Sequence, residues 1–215
     1  PFPIGGAPIK GDDGFRMMSS PVAGAVYDNI LDPLWIQGMT NGDVTGGTAN
    51  VWTYDASTPE WSALGNLNTA SLTAGQGFLV FVYSDIDFDD DDDISSSKAI
   101  ELYVAGQENQ ATVTISTTAS EWNLLGNPFR VTIDADQLFT DNSNYTSTVY
   151  VYDDANSQYN TWNGSAGDLT NGLIAPYQGF WIQSGASGTS FQFTSGSKSS
   201  TAGTFYKQIA ESTGS

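Results

Sequence analysis

An internal duplication constrains this chain more than any other feature. Phe-Arg-Met-Met-Ser-Ser-Pro at 15–21 answers Trp-Asn-Leu-Leu-Gly-Asn-Pro at 122–128. Val-Trp-Thr-Tyr-Asp at 51–55 answers Val-Tyr-Val-Tyr-Asp at 149–153. Leu-Thr-Ala-Gly-Gln-Gly-Phe-Leu-Val-Phe at 72–81 answers Ile-Ala-Pro-Tyr-Gln-Gly-Phe-Trp-Ile at 174–182. The three offsets are 107, 98 and 102 residues. Blocks that keep their order while their spacing drifts mark a unit present twice, with loops lengthened or shortened between the blocks. A chain of 215 residues is then two units of about 100 residues each, with the boundary expected between 105 and 120.

Each unit reads as β. Apolar runs are short, rich in aromatic and β-branched residues, and bounded by Gly, Asn, Asp, Ser or Pro. The Tyr-Asp ends at 54–55 and 152–153 lead into polar clusters, and Trp61 and Trp162 follow, so each unit is expected to hold a hairpin there. The runs at 77–83 and 179–182 are continuously apolar, as in central strands. Alternating segments at 99–104 and 111–116 are expected to pair about a turn at 106–109, and those at 190–194 and 203–207 to pair likewise. Residues 27–31 and 134–139 are expected to form single helical turns. The recurring Gln76-Gly77 and Gln178-Gly179 point to a close approach of backbone.

The expected fold is all-β: two tandem antiparallel β-sandwich domains, Ig-like or jelly-roll-like. The domains span 11–108 and 109–209, with an extended arm at 1–10 and a polar tail at 210–215. Three prolines in the arm deny it a central strand position. Its apolar residues Phe2, Ile4 and Ile9 could dock on the exposed sheet edge of a neighbouring subunit.

Composition narrows function. The chain has no His and no Cys, which removes the commonest general base, the triad chemistry that uses it, and thiolates. A carboxylate pair could still hydrolyse glycosides, but nothing pairs the glutamates, and no enzyme is expected. A net charge of −18 with six basic residues repels nucleic acid and anionic membranes. No run is long enough to span a bilayer as a helix. The first residue is Pro rather than Met, so a processed or trimmed segment is expected. Asn144-Tyr-Thr and Asn163-Gly-Ser match the N-glycosylation pattern, a short and common one.

Two features carry candidate chemistry. Seven carboxylates occupy the nine positions 85–93. Asp85, Asp87 and Asp89 fall on one side of an extended chain, with Ile86 and Phe88 opposite, and together with Asp91 and Asp93 they offer hard oxygens suited to Ca²⁺. The EF-hand template fails, because its Gly and Glu positions fall on Asp90 and Ser96. A solvated acidic loop is the plainer reading. The other feature is the aromatic set Trp35, Trp61, Tyr159, Trp162, Tyr177 and Trp181, of which Trp35 and Tyr177 are named as possible stacking surfaces for a ligand. Recurrence of Trp61 and Trp162 in both hairpins favours a shared packing role.

These motifs resemble a recurrent β-rich module of secreted proteins from Bacteroidetes and their relatives. Trp-Asn-Leu-Leu-Gly-Asn-Pro-Phe at 122–129 is similar to the family's GWNLIGNPY phrase, 149–153 with Trp162 to its YVYD…W hairpin, and 174–182 to its IAPGQGFWV strand. Residues 15–21 and 72–85 are similar to its GFRMLSSP…LTAGQGFLVYVYSDDD form. The resemblance covers roughly 14–195. It implies export by type IX secretion and an extracellular or cell-surface home, and it implies no catalytic residues. Such modules commonly precede a C-terminal sorting domain, and that domain is expected to have been cleaved or cut away here. The expected function is a non-enzymatic subunit of a surface fibre or layer, self-assembled through strand or arm exchange. The alternative is a Ca²⁺-dependent adhesion module that binds a glycan or a surface partner.

Overall fold

The computed structural model describes residues 3–9, 13–95 and 98–206. Fourteen strands run β1 (Pro3–Ile9), β2 (Gly14–Met18), β3 (Val51–Asp55), β4 (Glu60–Ala63), β5 (Phe78–Val82), β6 (Ile100–Ala105), β7 (Val113–Ser116), β8 (Trp122–Gly126), β9 (Ile133–Asp134), β10 (Tyr145–Asp153), β11 (Gln158–Trp162), β12 (Leu173–Ile174), β13 (Gly179–Ser184) and β14 (Ser190–Phe193). Among the described residues two α-helices accompany them, α1 (Asp28–Leu31) and α2 (Ala135–Asp141). The chain is mostly β and its sheets are antiparallel. Among the described residues no helix is long and apolar enough to cross a membrane.

The duplication is visible in the topology. The first half has a four-stranded sheet of order β2-β5-β3-β4, and the second has β8-β13-β10-β11. The strands correspond one to one: β2 with β8, β3 with β10, β4 with β11, β5 with β13. Both hairpins form as expected, and β5 and β13 are internal to their sheets. Their alternate residues Phe78, Val80 and Val82, and Phe180 and Ile182, face the core at no more than 1% exposure. The helical turns sit at equivalent places, and α2 is the longer because the Asp134 side chain caps it by accepting from Asp136 N.

The remaining pairings differ from expectation. β6 does not pair with β7; it pairs with β1, from Pro3↔Ala105 to Ile9↔Ile100. β14 pairs with β7, from Ser190↔Ser116 to Phe193↔Val113, and residues 203–206 form no strand. In each half, the strand before the first block pairs with the strand after the third. The N-terminal arm, read from sequence as lying outside the repeat, therefore takes in the first half the place that β7 takes in the second. Sequence comparison missed this because β1 is Pro- and Gly-rich while β7 is Thr-rich, and only the topology relates them. Ile9 is 1% exposed and belongs to the first core, within its own chain. Phe2 and the tail at 210–215 lie outside the described residues.

The halves join through reciprocal bonds. Ser19 N donates to Tyr177 O at 2.8 Å, and its counterpart Gly126 N donates to Gly75 O at 2.9 Å. Bridges Met18↔Gln178 and Gln76↔Leu125 are likewise exchanged. Gly75 (φ +86°) and Tyr177 (φ +63°) share the left-handed turn that presents each Gln-Gly to the other half. A Cβ on Gly77 would lie 2.5 Å from Leu125 O, and one on Gly179 would lie 3.0 Å from Met17 C. Gly77→Ala should therefore destabilise the protein by about 1–3 kcal/mol through overpacking. Gly65→Ala, where a Cβ meets nothing within 4 Å, should stay within about 0.5 kcal/mol of the parent. Urea denaturation of the two variants checks this, and equal midpoints would contradict the close approach.

Candidate aromatic binding site

The site grows out of strand alternation. In β10, Val149 and Val151 are fully buried, so Tyr150 and Tyr152 point to the opposite face. In β13, Phe180 and Ile182 are buried and Trp181 faces out. Tyr150 and Trp181 are direct cross-strand partners. Trp122 at the start of β8 and Tyr159 in β11 extend this aromatic face. The β3–β4 hairpin of the first half leans across it, so that Tyr54 lies 4.7 Å and Trp61 lies 5.7 Å from Trp181, both nearly perpendicular to its ring.

The outcome is a groove of about 440 Å³ lined by Tyr54, Trp61, Trp122, Tyr150, Tyr159 and Trp181 alone. Edge-to-face contacts brace its two walls: Tyr54 on Trp61 at 5.2 Å, and Trp122 on Tyr150 at 5.2 Å. The ring faces are not spent on the core, for Trp61, Trp122 and Tyr159 keep 41%, 38% and 45% exposure. Burial, then Glu121 and Asp55, push the Tyr54 hydroxyl above its ordinary pKa, so it stays a neutral donor. Among the described residues no basic side chain lines the groove.

Register corrects one inference about this set. Trp61 pairs with Tyr54, and in the second hairpin Tyr159 pairs with Tyr152. The counterpart of Trp61 is Tyr159, both exposed. Trp162 instead pairs with Val149, packs on the second core and donates Nε1–H to Asp136 Oδ1 at 2.7 Å. The recurrence that argued for shared packing related non-equivalent residues. Tyr54, Trp122 and Tyr150 were missed as ligand candidates. The signal for Tyr150 was present in the Val-Tyr-Val-Tyr alternation, which seats valine inward and tyrosine outward.

The two expected stacking residues fall elsewhere. Tyr177 is fully buried, with no face to offer a ligand. Trp35 is half-buried, donates to Gln37 Oε1, and carries the Phe88 ring at 4.6 Å. That contact pins the acidic loop. Within the loop, carboxylate oxygens of Asp85, Asp87 and Asp89 come within 4.8 Å of one another. These three could hold a hard cation, but Asp91 and Asp93 do not join them. Asp93 is turned to Lys98 at 3.3 Å and accepts from Ile86 N. Asp85 already accepts from Phe88 N at 2.6 Å and from the amides of Asp87 and Asp90. Desolvation and the surrounding carboxylates push the Asp87 pKa up.

On the core-facing side of the first sheet, where Arg16 pairs with Val80, a cation is buried. Arg16 is 1% exposed, and Asp154 of the second half accepts from Phe15 N at 3.1 Å. Burial lowers the Arg16 pKa to about 10 against the opposing pull of Asp154 and Asp13. Asn123 stands at the equivalent place in β8 and bonds its own loop, accepting from Thr118 N and donating to Thr118 O and Glu121 O.

Comparison of the chain with protein-family models, curated proteins and solved structures returns no match.

The tyrosines behind the joint set the alkaline limit. Burial raises Tyr27 and Tyr177 from 10.0 to about 12. The unfolded chain therefore ionises them first. Their contribution to stability is full below pH 10 and is lost as pH rises through about 12. In a pH titration, phenolate absorbance should rise in two stages, the later one coinciding with unfolding. Tyr177→Phe should shrink the later stage, and an unchanged profile would contradict the burial.

Proposed function

We propose that this protein is a non-enzymatic binding module of the cell exterior whose working surface is the aromatic groove, and that it holds a neutral glycan. Each half is read as a small sandwich of one four-stranded and one two-stranded layer, so that the rings ride on a rigid frame. The observation that carries the reading is the groove itself: six aromatic side chains from both halves, with three of them well exposed. Sugar rings present apolar C–H faces that stack on indole and phenol, while their hydroxyls bond at the rim. Tyr and Trp supply large contact area with little conformational entropy to lose.

Charge selects the class of glycan. With a net charge of −18 and Glu121 and Asp55 near Tyr54, a uronate or sulfated chain would be repelled. An exchanged arm is a weaker reading, because β1 pairs within its own chain and that pairing has a counterpart in β7 with β14. The acidic triad is not needed for binding at the groove, so affinity should be indifferent to Ca²⁺.

Neutral oligosaccharides titrated into the protein should quench or shift the tryptophan emission in a saturable way. Trp61→Ala should weaken binding at least tenfold, equivalent to about 1.4 kcal/mol, with little change in thermal stability because Trp61 is exposed. Binding that survives the loss of both Trp61 and Trp181 would refute the assignment. Preference for a proline-rich peptide, the other common occupant of aromatic grooves, would do so as well.

A further inference from the structure

The second half contains a groove that the chain fills with its own residues. After β14 the chain turns back and lies along residues 173–178. Gly203 N donates to Thr132 Oγ1 at 2.8 Å, and Tyr206 N donates to Gln178 Oε1 at 3.0 Å. The fit at Gly203 is tight, since a Cβ there would lie 3.1 Å from both Ala175 N and Leu173 O. Phe205 is 4% exposed and packs into the core that holds Met18, Ala175 and Tyr177. The Tyr206 hydroxyl is bonded to Asn160 and feels Asp153.

The offsets of the duplication carry Leu173, Ala175 and Gln178 onto Ser71, Thr73 and Gln76, and Asp153 onto Asp55. All four counterparts line an open cleft of about 780 Å³ between the halves. Its opposite wall includes Leu125, the counterpart of Met18, and Ile115 of β7. Among the described residues no segment of the first half returns to fill it: after β6 the chain passes through 106–112 directly into β7. The cleft is the unfilled counterpart of the groove occupied by residues 203–206.

We propose that this cleft binds an extended peptide segment of a partner chain, in the manner in which the second half binds residues 203–206. The Gln76 side chain accepts a backbone N–H of the guest, as Gln178 does. An aromatic side chain of the guest lies on the half-buried Ala70 and Ile115 of the lining. A small residue passes Ser71 and Thr73, as Gly203 passes Leu173 and Ala175. Asp55, in a cleft lined by no basic residue among those described, favours a neutral or basic guest. A second copy of this chain is the poorer guest. Moving residues 203–206 from their own groove to a neighbour's cleft leaves one groove empty either way, while association costs translational and rotational freedom. The proposal does not depend on the glycan reading, since the two surfaces share only Tyr54.

The test is a synthetic peptide of residues 201–206, Thr-Ala-Gly-Thr-Phe-Tyr, titrated calorimetrically into the intact protein. The expected result is saturable binding at one peptide per protein. Affinity should fall at least tenfold in Gln76→Ala, and binding should vanish in Thr73→Trp, which places an indole in the cleft from an exposed position. Melting of each variant checks that it is folded, and a peptide with Ala in place of both aromatics should not bind. Absence of binding to the parent protein would overturn the proposal. So would binding that persists in Thr73→Trp, which would place the peptide in the second-half groove, or self-association of the protein through its own segment 203–206.

Discussion

The reciprocal joint between the halves is the constraint on which the rest of the structure depends. Each half hands a left-handed turn and a Gln-Gly step to the first strand of the other, through Ser19 to Tyr177 and through Gly126 to Gly75. Main-chain bonds at this range need side-chain-free backbone on one side, which explains why Gly77 and Gly179 recur where a Cβ would meet the opposite strand. The joint also decides what the surfaces look like. It brings the β3–β4 hairpin of one half over the outer sheet face of the other, and only there do Tyr54 and Trp61 meet Trp181.

Pseudo-symmetry then makes differences between the halves informative. Equivalent backbones carry unlike side chains around the joint. Arg16 is buried near Asp154, whereas its counterpart Asn123 bonds its own loop. A buried cation is expensive to desolvate and contributes little net stability even when compensated. One half fills its groove with residues 203–206 and the other leaves its cleft open. What is duplicated serves folding, and what has diverged between equivalent positions marks the surfaces proposed to take ligands.

Much of the scaffold was legible in the sequence because its signals are local. The hairpins, the internal strands β5 and β13 and the helical turns all follow from short-range pattern. The Gln-Gly doublets announced a close approach without saying to what. Pairing of β1 with β6 and of β7 with β14 was not legible, because such pairing is set by tertiary context and those strands share no recognisable sequence. The groove was half legible. Trp61, Tyr159 and Trp181 were in the aromatic set, but aligning Trp61 with Trp162 instead of Tyr159 hid the exposed pair, and a register error of this size changes which residues share a face. Tyr177 was misplaced because an aromatic residue in a turn reads as exposed, whereas this turn is the joint itself. For the acidic loop, spacing along an extended chain overstated the donor set, since the loop bends at Phe88 and Asp90 and gathers three carboxylates rather than five.

The central claim is that the two halves form one unit through their joint, and that the groove exists only while the joint does. Equilibrium unfolding in denaturant, followed at once by tryptophan emission and by far-ultraviolet circular dichroism, tests it most directly. One transition with coincident midpoints from both probes is the predicted result. Two separated transitions, with tryptophan emission unchanged through the first, would show halves that fold alone and a groove that does not need the joint.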